Sequence, residues 1–90
     1  MRVFLVGQTR FRYTQRVKRA LTHALETEHG GRVDQATFHY TEVEPFRADL
    51  QGRVIFKDGR IYHFYGTFSV DDGITLIWED KIGDQLSIDC

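Results

Sequence analysis

The 90-residue chain has one cysteine, one proline and one tryptophan, and no long apolar run. Each scarcity excludes something. A single cysteine, Cys90, permits neither an internal disulfide nor a cysteine-based zinc site within this sequence. No stretch approaches the roughly 18 uncharged apolar residues that a membrane-spanning helix needs. The apolar start, residues 1–7, is shorter than the apolar region of a secretory signal, so a soluble, cytoplasmic protein is expected. An excess of one charge is also missing, since 12 basic and 13 acidic side chains leave a net charge of −1. Long-range attraction to DNA or to an anionic membrane is correspondingly weak.

What is present suffices for one folded domain over residues 1–90. Val, Ile, Leu and Phe make up 26 of the 90 residues, above the level of roughly 20% below which chains tend to stay disordered. Charge is spread unevenly. Residues 1–32 hold seven basic and two acidic side chains, a charge of +5, whereas residues 33–90 hold five basic and eleven acidic ones, a charge of −6.

Two periodicities divide the chain. Arg2 to Val6 is a short apolar run ended by Gly7, as in a buried strand. From Tyr13 to His29, Val17, Leu21 and Leu25 with Ala20 and Ala24 follow helical spacing, Gly30-Gly31 supplies a stop, and Thr9 or Thr14 offers a cap. Beyond Gly31 the chain reads as extended: 14 of the 25 residues from Val54 to Trp78 are β-branched or aromatic. Pro45 ends a strand over about 33–43, Phe46, Ala48 and Leu50 alternate with polar residues, and Gly52 marks a bulge. Lys57-Asp58-Gly59-Arg60 is a two-residue hairpin signal that sets Phe56 opposite Ile61 and Val54 opposite His63. Asp71-Asp72-Gly73 and Ile82-Gly83-Asp84 mark further reversals. The fold class is therefore α+β, with one helix on an antiparallel sheet of about five strands in the order β-α-β-β-β-β(-β). One helix cannot cover both faces, so some of Tyr40, Tyr62, Phe64, Tyr65, Phe68 and Trp78 are candidates for an uncovered side.

The candidate partner-binding residues are Arg12, Arg16, Lys18, Arg19 and His23. On a helical wheel Arg12, Arg16, Arg19 and His23 lie within about 60° of one another, opposite the apolar stripe. Like charges four residues apart repel by a few tenths of a kcal/mol, a cost that an anionic partner would offset. A solvated helix face, however, needs polar residues in any case. Asp71, Asp72, Asp80 and Asp84 form a candidate acidic edge, although aspartate also suits turns for purely local reasons. Tyr62-His63-Phe64-Tyr65 has the interleaving of a stacking platform for single-stranded nucleic acid but lacks the glycine and basic positions of an RNA-recognition strand. His23 and His29 point apart on the helix, and no histidine pair has metal-ligand spacing, so neither metal nor cofactor is expected. Gly7-Gln8-Thr9-Arg10 sits where a phosphate loop would, without its glycine-lysine pair.

The reading that accommodates these features is a non-enzymatic interaction module, an adaptor or inhibitor-like regulator of the kind mobile elements encode. It would dock on a macromolecule, a protein in the first place, through the basic helix face or the acidic edge. The alternatives are a nucleic-acid-binding protein gripping phosphates with the helix, and a small hydrolase pairing a histidine with a carboxylate. A homodimer, held by leftover sheet aromatics or by the opposed charges, is a further expectation.

Overall fold

The computed structural model describes residues 1–7, 11–78 and 85–88. In chain order the elements are β1 (Arg2–Val6), α1 (Thr14–His29), β2 (Val33–Glu44), β3 (Arg47–Phe56), β4 (Ile61–Ser69), β5 (Gly73–Trp78) and β6 (Gln85–Ile88), with a 3-10 turn at Gly30–Arg32 between α1 and β2. The architecture is α+β. The six strands of the described residues form one sheet in sequence order, β1 running parallel to β2 and every later pair antiparallel. A parallel neighbour needs a crossover, and α1 supplies it.

The helix forms where the 3.6-residue period predicts, and Val17, Leu21, Ala24 and Leu25 are its buried stripe. Its start is not capped by a side chain. The Thr14 hydroxyl instead donates to the Phe11 carbonyl at 2.7 Å, and the Val17 N–H donates to the Tyr13 carbonyl. Thr9 lies outside the described residues. At the far end Gly30 has φ 58° and its N–H donates to the Glu26 carbonyl, closing the last turn.

The helix touches β1 and β2 and also reaches β6, so the sheet curls around it and both outer strands approach it. On β2, β3 and β4 alternate residues point to the helix and are buried: Ala36, Phe38 and Tyr40; Ala48, Leu50, Val54 and Phe56; Phe64 and Phe68. Ile74 and Leu76 continue this core on β5.

Three local expectations are corrected. The β3–β4 connection is a three-residue loop, Lys57-Asp58-Gly59. The Gly59 N–H donates to the Phe56 carbonyl and the Phe56 N–H donates to the Arg60 carbonyl, with Gly59 at φ 93°. Ile55 therefore faces Ile61, Val54 faces Tyr62 and Arg53 faces His63. A pairing of His63 with fully buried Val54 would have driven an imidazole into the core; the longer loop shifts the register by one residue and turns His63 outward. Gly52 sits in an unbroken ladder opposite Phe38 and Phe64, and the register shifts fall instead at Val33/Gln35 and Glu42/Glu44. Phe46 lies in the turn after Pro45 and is exposed. The sixth strand that the order β-α-β-β-β-β(-β) left open is present among the described residues. Asp71-Asp72-Gly73 makes the β4–β5 reversal as expected, and Ile82-Gly83-Asp84 lies outside the described residues.

One detail of the helix end gives a pH test. The His29 ring meets Phe56 edge-on at 5.0 Å. Partial burial holds its pKa below the usual histidine value, and the nearby Arg32 adds to this against a smaller opposing effect of Glu28. Because the folded value lies below the unfolded one, the unfolded chain binds more protons in between. The contribution of His29 is thus intact above about pH 6.5 and is lost as pH falls through the folded value. On going from about pH 7.5 to about pH 5.5, the melting temperature of His29→Leu should fall less than that of the native chain. Equal slopes would remove His29 from the account.

Candidate functional site

Two surfaces emerge, one on each side of the molecule. The first is the outer face of α1. Arg12, Arg16, Lys18, Arg19 and His23 are all exposed. Arg12 precedes the helix and lies over the Tyr13 ring at 5.9 Å, so it extends the ridge from the entry turn rather than from the wheel. Arg16 already has an interaction partner within the fold. Lys18, Arg19 and His23 line a shallow depression of about 370 Å³ together with Gln15, Thr22 and Glu26. The first turn contains no acidic residue, so its cations oppose the partial positive charge of the helix start. Local stability favours the reverse arrangement, and such departures from local consistency are where binding surfaces are sought.

The second surface is the uncovered face of the sheet. Among the described residues the large apolar side chains with substantial exposure are Met1, Phe4, Val6, Val43, Phe46, Ile61 and Tyr65, and none of them is on the helix. Phe4, Val6, Ile61 and Tyr65 have the outward strand parity, and Val43 and Phe46 sit at the β2–β3 turn beside it. Of the aromatics singled out in the sequence, Tyr40, Phe64 and Phe68 are buried, Tyr62 is half-buried and Tyr65 is exposed. Trp78 takes the register position opposite Phe64.

Three depressions join along this face. The first, 260 Å³, is lined by Thr37, His39, Gln51 and Arg53 with His63. A second, 420 Å³, shares His39 and Gln51 with it and adds Asp49, Tyr65, Thr67 and Thr75. A third, 500 Å³, shares Thr67 and Thr75 with the second and runs to Phe46, Arg47, Asp71 and Asp72. Among the described residues the trough thus has Arg53, His39 and His63 toward one end, and at the other exposed Asp71 and Asp72 together with Arg47, which pairs with Glu44 at 3.9 Å. Asp72 is tied to its turn, its N–H donating to the Ser69 hydroxyl at 2.9 Å. Asp80 and Asp84, the other half of the expected acidic edge, lie outside the described residues.

The sequence named the helix cations because helical spacing shows which side of α1 faces out. It did not single out Gln51, Arg53 or the pairing of His63 with Arg53. Their signal was the parity shared with Phe4 and Tyr65, which becomes readable only once the register of β3 and β4 is known. Among the described residues no group of three or more histidine, cysteine, aspartate or glutamate side chains converges on a metal-sized site. Among them, too, no helix is long and apolar enough to cross a membrane. Neither protein-family models, nor curated proteins, nor solved structures give a match to this chain.

Proposed function

We propose that this protein is a non-enzymatic interaction module, acting in the cytoplasm, that docks on an acidic macromolecular partner, a protein, through the outer face of α1. The observation that carries the reading is the exposed cluster of Lys18, Arg19 and His23 beside Arg12 and Arg16, on a helix whose first turn has no compensating acid. Arginine there offers paired N–H donors suited to carboxylates. Duplex DNA is the weaker candidate, because a chain of net charge −1 gains little long-range attraction to it.

The test is affinity enrichment from source cells with the native chain and with Lys18→Glu/Arg19→Glu, each with and without nuclease. Both positions are exposed, so each change should alter stability by no more than about 0.5 kcal/mol. The double reversal should abolish enrichment of a specific protein that survives nuclease. If enrichment is indifferent to the reversal, the helix face is not the contact. If everything enriched vanishes with nuclease, the nucleic-acid reading takes its place.

A further inference from the structure

We infer that the uncovered sheet face is the interface of a two-fold symmetric dimer of this chain, two sheets packing face to face with α1 on each outer side. Three observations converge. First, among the described residues all the exposed large apolar side chains but Met1 gather on this face and its rim: Phe4, Val6, Val43, Phe46, Ile61 and Tyr65. Tyr65, at the centre of the trough, is half exposed (51%), which folding of one copy leaves unused. Second, the face has the right size. Six strands about 4.8 Å apart, and roughly 20–25 Å long, make a face of about 500–600 Å² before side-chain relief is counted. That approaches the roughly 800 Å² per partner of a standard specific interface.

Third, the face is self-complementary. A two-fold axis lying across the strands reverses strand direction between copies while keeping β1 over β1. It therefore lays the Arg53–His63 end of one copy on the Asp71–Asp72 end of its partner. The same operation carries the Phe4–Val6 side toward Val43 and Phe46 of the other copy. On β4 the midpoint between His63 and Asp71 is Thr67, so the axis passes near Thr67 and places the two copies of that residue beside each other. A surface carrying only one sign of charge would repel its own copy; this one sets Arg53 against Asp71 and Asp72 when inverted, while Arg47 at the acidic end is already paired with Glu44 at 3.9 Å. A single-stranded nucleic acid would use His39, His63 and Tyr65, but it has no use for the acidic end of the trough or for the apolar rim.

This dimer is independent of the proposed helix contact, which it leaves facing outward on both sides. Light scattering on dilution from high to low micromolar concentration tests it, in buffers of about 50 and about 500 mM salt. A dimer is expected at both, since apolar burial is not screened. Val6→Glu/Tyr65→Glu should weaken association about 100-fold, each side chain accounting for about tenfold. Lys18→Glu/Arg19→Glu should leave it unchanged. Cross-linking gives a second readout with little risk to folding: in a Cys90→Ser background, Thr67→Cys should be joined between copies by a short bismaleimide, whose reach suits sheets packed about 10 Å apart, and Thr22→Cys on α1 should not. A monomer at every concentration overturns the proposal. So does a dimer indifferent to the Val6/Tyr65 change, a dimer broken by the helix reversal, or cross-linking through Thr22→Cys rather than Thr67→Cys. Binding of a labelled oligonucleotide that Val6→Glu/Tyr65→Glu abolishes in a monomeric native chain would assign the face to nucleic acid instead.

Discussion

Replacing Phe68 by alanine is expected to remove about 3–5 kcal/mol of stability, the range for emptying a buried phenylalanine site. Phe68 is fully buried on β4, opposite Ala48 and Ile74. Its ring meets Phe11 edge-on at 5.8 Å and Tyr13 at the same separation, joining the sheet to the segment that enters α1. Phe11 in turn lies 5.5 Å from Tyr40. Removing the central ring of this group leaves a cavity that β-sheet backbone cannot collapse into. At about 0.05–0.15 kcal/mol per residue, a domain this size has only about 5–14 kcal/mol in total, so the variant loses a large share. Phe46→Ala is the control, both changes being compared in the Val6→Glu/Tyr65→Glu chain so that the inferred dimer contact does not contribute. That side chain is 47% exposed in the β2–β3 turn, and its loss should change stability by no more than about 0.5 kcal/mol. Urea unfolding with an unchanged slope reads both numbers. Similar costs at the two positions would mean that the sheet faces have been assigned wrongly.

That contrast marks where the fold was legible in the sequence. Phe46, Ala48 and Leu50 alternate perfectly, yet only the last two point into the core, because Pro45 and Phe46 belong to the turn. Periodicity reports faces only inside an element, so the helix, with sixteen residues of consistent spacing, was read almost to its ends. The β3–β4 register failed for a different reason. Asp-Gly fits a two-residue loop and also a three-residue loop with glycine last, and the choice lies in the partner strands. Val54 and Phe56 can share the core with Tyr62 and Phe64 only if the longer loop is used, as the burial of Val54, Phe56 and Phe64 bears out. The helix cations followed from the helical period alone. The trough on the sheet did not, because its residues come from four strands and are brought together by register rather than by spacing along the chain.

Gly66→Ala is expected to be the most damaging single-methyl change in the protein, costing about 3 kcal/mol or more, at the upper end of overpacking effects. Gly66 lies on β4 opposite Leu50 and Leu76, with the parity that faces the helix. A Cβ built there runs into the backbone carbonyl of Thr75 on β5, closer than any real Cβ contact, and also meets Leu76 Cα. A flexible side chain could swing aside; a carbonyl fixed in a ladder cannot move without breaking the β4–β5 pairing. Gly52 repeats the arrangement one strand over, where a Cβ would meet the Thr37 carbonyl oxygen and Phe38 Cα on β2. Both glycines face the helix at places where the neighbouring strand closes in, so missing side chains are what allow the sheet to curl around α1 until the helix touches β1 and β6. A glycine inside a strand has two common uses, a bulge or a close approach, and only the neighbouring strand distinguishes them; at Gly52 it is the close approach. Gly31→Ala serves as the control, since a Cβ there meets nothing within 4 Å and no positive φ opposes it. Denaturant unfolding should show Gly66→Ala strongly destabilised, Gly52→Ala nearly as much, and Gly31→Ala within about 0.5 kcal/mol of the native chain. A Gly66→Ala variant as stable as the native chain would mean that β4 and β5 sit farther apart than described, and the curl of the sheet around the helix would have to come from elsewhere.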